Sequence, residues 1–161
     1  MAYVLRLIRR GRWLPQEQHW FREGDFQADC LSDLNTSDNT LSLWSVKDDR
    51  SNLESIAVAL ASTRDSFANV DYAIIPEEMV RNFGILVPTE GKSPHRTANE
   101  NWHRDLCELS SSRLIELARV FLQQGEKNRI AEKQIIQLLK RAAAEKEIDL
   151  DAVKVTLRSH L

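Results

Sequence analysis

The spacing of apolar residues changes repeatedly along this chain, and that change most constrains what it can fold into. Residues 3–8 alternate: Tyr3, Leu5 and Leu7 share one face of an extended segment, with Val4, Arg6 and Ile8 on the other. Residues 40–46 read as a second strand carrying Leu41 and Leu43 against Trp44 and Val46, and residues 72–75 as a third, stopped by Pro76. Shorter strands are expected at residues 85–87 and 105–109.

Between these stretches the spacing turns to three and four, the period of a helix face. Residues 25–34 carry Phe26, Cys30, Leu31 and Leu34 in this way. Ser51-Asn52-Leu53-Glu54 has the form of a capping box and opens a helix with Ile56, Ala57, Leu60 and Ala61 on its inner stripe. Residues 77–83 make two helical turns ending at Gly84, and Ser110 or Ser111 caps a helix carrying Leu114, Leu117, Ala118, Phe121 and Leu122, closed by Gly125. Residues 127–146 are helical by period, and a last helix begins near Asp149 or Asp151 with Leu150, Val153, Leu157 and Leu161. Residues 88–101, with Gly91 and Pro94, read as a long loop. The order predicts an α+β fold: a small sheet of three to five strands packed with amphipathic helices over residues 1–125, followed by a C-terminal helical segment, 126–161. That segment is either part of the same domain or an association element.

Composition narrows the class. With 161 residues, 42% of them hydrophobic, and only five Gly and four Pro, the chain is neither collagen-like nor of disordered composition, and it can bury a core. Two cysteines cannot build a disulfide framework, and Cys30 and Cys107 lack the paired spacing of a zinc site, so a reduced, cytoplasmic protein without a cofactor is expected. The first apolar run is broken by Arg6 and lacks a cleavage site, and no run approaches a bilayer-spanning length, so no membrane association is expected.

The formal charge of −2 hides a segregation. Residues 1–13 hold four arginines and no acid; residues 126–161 hold eight basic and six acidic groups; the middle, 14–125, holds ten basic and eighteen acidic groups. Such regions either attract one another within the fold or present separate patches to partners. Arg9, Arg10 and Arg12 with Trp13 can hold phosphates or stack bases, whereas a pI near 6.1 argues that they pair with the acidic middle instead. Asp25, Asp29 and Asp33 recur every four residues and are weak candidates for a hard-cation site, the alternative being a solvated or docking face. His95, His103, Asp105 and Cys30 are weak catalytic candidates, because no nucleophile elbow, zinc-protease motif or glycine-rich phosphate loop accompanies them.

The expectation is a non-catalytic cytoplasmic interaction or regulatory protein whose partner is another protein or a second copy of itself. Its candidate contact residues are Arg9, Arg10, Arg12, Trp13, Trp20, Trp102, Leu150, Val153 and Leu157. Two alternatives accompany it: a nucleic-acid-associated protein using the N-terminal arginines with Lys140, Arg141, Lys154 and Arg158, and a small enzyme with a site around residues 88–105.

Overall fold

The alternating segment at the N-terminus becomes the hub of the molecule. In a computed structural model, which describes residues 2–14 and 18–161, β1 (Tyr3–Leu7) pairs antiparallel with both β2 (Leu41–Val46) and β3 (Val70–Pro76). β5 (His103–Cys107) pairs with β2, β4 (Ile85–Pro88) with β5, and β6 (Glu126–Ile130) with β3. The order is β4-β5-β2-β1-β3-β6, antiparallel throughout.

The fold is α+β, but the sheet has six strands, not the three to five expected. β6 accounts for the difference. Of its five residues only Ile130 is buried, so Glu126-Lys127-Asn128-Arg129 shows no two-residue apolar period, and the helix expected from residue 127 begins only at Glu132. An edge strand needs little apolar surface, and its charges discourage pairing with another chain.

Alternation along the central strands supplies two cores. Leu5, Trp44, Val46, Tyr72 and Ile74 face α1 (Leu53–Ser62), α3 (Arg96–Trp102) and α5 (Glu132–Ala144), with Ile148, Val153 and Leu157 closing that layer. Val4, Ile8, Leu41, Leu43, Ala73 and Ile75 face α4 (Ser111–Gln124) and a 3-10 turn (Ala28–Leu34), joined by Trp13 and Phe121. Single turns α2 (Glu77–Val80) and α6 (Val155–Arg158) complete the helices, and none among the described residues is long and apolar enough to cross a membrane.

Local chemistry differs from expectation at two starts. α1 has no capping box; Asn52 stands at its N-cap, and its side chain instead accepts from the Lys47 amide at 3.0 Å and donates to the Ser45 carbonyl at 2.9 Å, tying the helix to the end of β2. Residues 28–34 form 3-10 rather than α structure, and a period of three turns Cys30 and Asp33 inward together. The Ser110 cap is as expected: its hydroxyl accepts from the Arg113 amide at 3.3 Å.

One irregularity in the ladders opens the sheet near its centre. The β1–β2 ladder stops after Leu5↔Trp44, whereas β1 continues beside β3 to Leu7↔Tyr72 and β2 continues beside β5 to Leu41↔Leu106. The two central strands part, and the gap opens between the two covering layers.

Candidate functional site

The gap is built around two residues that the chain brings together from opposite ends of its charge pattern. Arg6 lies on the Val4 and Ile8 side of β1, and its guanidinium bridges the parted strands: Nη1 donates to the Ser42 carbonyl and Nε to the Asp33 carbonyl, both at 2.7 Å. The Asp33 carboxylate, buried, turns the other way. Its Oδ2 accepts from the Trp13 indole and from the Arg9 amide, each at 2.8 Å, and its Oδ1 lies 3.9 Å from both Arg9 Nε and Arg12 Nη1.

A crevice of about 470 Å³ opens here, lined by Arg6, Leu7, Arg9, Trp44, Leu60, Thr63, Arg64, Lys92, Ser93 and His103 among others. Four of these are cationic, and the one acid in the lining is the Asp33 already engaged by Trp13 and Arg9. Burial pushes the Arg6 guanidinium down to about 10, against the opposing pull of Asp33. Arg64 is also lowered by burial, and its Nη1 donates to the Asn69 carbonyl at 2.7 Å. Among the described residues neither arginine forms an ion pair. Two partly buried cations hydrogen-bonded to neutral carbonyls, with the Asp33 and Asp71 charges acting on them without an ion-pair contact, give the crevice a positive wall that an anion would complement.

His103, opposite Trp44 in the β2–β5 register, stacks edge-on against it at 5.2 Å and shares a 2.8 Å hydrogen bond between Nδ1 and the Thr89 hydroxyl. Burial lowers its pKa, with the Asp105 charge acting in the opposite sense. Beyond it lies an adjoining cavity of about 500 Å³ that shares Ser42, Lys92 and His103 with the first and adds Asp38, Glu90 and Asp105.

Of the catalytic candidates, His103 and Asp105 meet at this opening, with the Ser42 hydroxyl donating to Asp105 Oδ1 at 3.1 Å. His95 and Cys30 lie elsewhere. His95 is buried at the N-cap of α3, where Nδ1 accepts from the Ala98 amide at 3.3 Å. Cys30 is buried in the second core, donates to the Arg12 carbonyl at 3.0 Å, and its thiol is pushed up to about 11 by burial and by Asp33. The serine beside Asp105 is not bonded to a histidine, so no nucleophile–base pair is assembled among them.

The acidic stripe divides. Asp33 is buried while Asp25 and Asp29 are exposed, and no metal-holding group of three exists among the described residues. Arg10 donates its amide to Asp71 at 3.4 Å, and Asp71, held low by its two hydrogen bonds to Arg129, joins the termini to the acidic middle. Arg12 donates to the Ser32 hydroxyl at 2.6 Å. Of the remaining contact candidates, Trp13, Val153 and Leu157 are buried, Trp102 lies half-buried under Lys47, Leu150 is 38% exposed and Trp20 is 65% exposed. Among the nucleic-acid candidates, Arg141 pairs with Glu54, Lys154 with Asp65 and Arg158 with Asp151, and Lys140 is exposed.

Sequence reasoning missed Arg64, Lys92, Ser42 and the central role of Arg6. Only Arg6 carried a signal: a charge between Val4 and Ile8 on a strand face otherwise apolar. No protein-family model matches the chain, and no curated protein or solved structure matches it significantly.

Proposed function

We propose that this is a non-catalytic cytoplasmic protein of regulatory type that recognises an anionic group in the crevice between β1 and β2. The observation that carries the reading is the crevice lining, where Arg6 and Arg64, both partly buried and neither in an ion pair among the described residues, share one opening with Arg9 and Lys92. Binding rather than chemistry is favoured because Ser42 is bonded to Asp105 and His103 to Thr89, while Cys30 is an inert buried thiol. Nucleic acid is a poorer match for this surface, since the Arg12 guanidinium is turned into contacts with Ser32 and the Asp29 carbonyl and Arg9 lies beside Asp33.

The test uses inorganic phosphate and sulfate as probes, followed by calorimetry and thermal unfolding. Anion bound to the folded chain alone stabilises it by about 2.7 kcal/mol at one hundred times the dissociation constant. Both anions are expected to raise the unfolding temperature of the native chain beyond a chloride control, and Arg64→Gln and Lys92→Gln are expected to reduce that rise. Equal behaviour of phosphate, sulfate and chloride would overturn the proposal.

A further inference from the structure

A bare anion would occupy little of the space available. The cationic crevice continues past Lys92 and His103 into the adjoining cavity, and the two volumes, about 470 and about 500 Å³, each fall within the roughly 300–1,000 Å³ typical of small-molecule sites. The second half differs in character. Its charged groups are Asp38, Glu90 and Asp105 with Lys92, and Thr36, Ser37 and Thr40 add hydroxyls. Carboxylates there repel a second anion and accept hydrogen bonds, while Lys92 opposes a cation and the lining hydroxyls match polar neutral groups, so hydroxyl donors suit the part of a ligand lying against them. The wall between the halves contains the hydroxyl of Ser42 and the imidazole of His103, whose Nδ1 is engaged by Thr89.

We infer that the joined cavities take a phosphate monoester of a hydroxylated carrier, the class that includes sugar phosphates and nucleoside monophosphates. The phosphate lies in the half lined by Arg6, Arg64 and Lys92, and the carrier hydroxyls lie in the half lined by Asp105 and Glu90. The inference rests on the proposed anion-binding role of the crevice and adds the identity of what the anion is attached to.

Calorimetry with five probes separates the two. Inorganic phosphate tests the crevice alone, ethyl phosphate adds a carrier without hydroxyls, ribose 5-phosphate adds the hydroxyls, adenosine 5′-monophosphate adds a base, and ribose removes the phosphate. Ribose 5-phosphate or the nucleotide is expected to bind at least about tenfold more tightly than ethyl phosphate, the effect of one further hydrogen bond to a charged acceptor. Whichever of the two binds more tightly identifies the carrier. In Glu90→Gln combined with Asp105→Asn that advantage is expected to vanish while inorganic phosphate still binds. If phosphate binds but ribose 5-phosphate and the nucleotide gain nothing over ethyl phosphate, the inference is overturned and the anion-binding role stands. If no phosphate-bearing probe binds, both are overturned.

Discussion

Asp33 is a buried carboxylate met by several partners. Its carboxylate satisfies the Trp13 indole and the Arg9 amide while its carbonyl steadies Arg6, so one side chain and its own backbone organise both the second core and the crevice. His95 presents the opposite situation. With Nδ1 accepting from Ala98, the proton sits on Nε2, which is buried without a partner among the described residues, and burial lowers the pKa from 6.5 despite the charge of Glu147. His103 is lowered as well. Both are therefore neutral in the folded chain at neutral pH, and the unfolded chain binds more protons than the folded one as the pH falls through about 6.5. Stability is expected to be full above that value and to decline as the pH drops toward the folded-state values. Urea midpoints measured from about pH 7.5 to about pH 5.5 check this, and His95→Asn, which keeps a cap acceptor without the titration, is expected to flatten the decline.

Among the elements, β4 and β5 approach too closely for any side chain at their junction. A Cβ on Gly84 would lie 2.2 Å from the Cys107 carbonyl oxygen, whereas one on Gly11 would meet nothing within 4 Å. Gly84→Ala is expected to lower the unfolding midpoint by the equivalent of at least about 1 kcal/mol, and Gly11→Ala to leave it nearly unchanged. The legibility of the elements followed the same local logic. β1, β2, β3, α1 and α4 stand close to where the apolar period put them, because each turns a continuous apolar face to a core. β6 was hidden because it borrows its register from β3 without an apolar alternation of its own. The stripe at residues 25–34 announces a helix but not its 3-10 form, which is shaped by contacts to Arg6, Arg9 and Trp13, and α3 lies where residues 88–101 read as a loop. The crevice was hidden for a related reason. Arg6, Ser42, Arg64 and Lys92 meet only because a ladder ends early, and the end of a ladder leaves no mark in the periodicity of either strand.

At the scale of the whole molecule, the charge segregation resolves into contacts between distant parts of the chain. Arg9 and Arg12 approach Asp33, Arg129 holds Asp71, Arg141 meets Glu54, and Lys154 meets Asp65. The pairs of Arg141 and Lys154 are exposed and screened by water, so they orient the C-terminal segment more than they hold it. Apolar contact does the holding. Residues 126–161 supply β6 to the sheet and Ile135, Leu138, Leu139, Val153 and Leu157 to the core over Leu5 and Trp44. A chain ending at Gly125 is expected to lose its near-ultraviolet circular dichroism and become rapidly cleaved by protease, since burial of each such side chain is worth about 1.5–3 kcal/mol.

The early parting of β1 from β2 has a mechanical consequence. Three registered pairs join β4-β5-β2 to β1-β3-β6, so the sheet consists of two three-stranded plates sewn by a short seam and held at its open end by one guanidinium. A molecule lodged in that opening touches both plates at once, Arg6 on one and His103 on the other, and so acts as a second stitch. Its removal would leave the three registered pairs and the Arg6 bridge to hold the plates together.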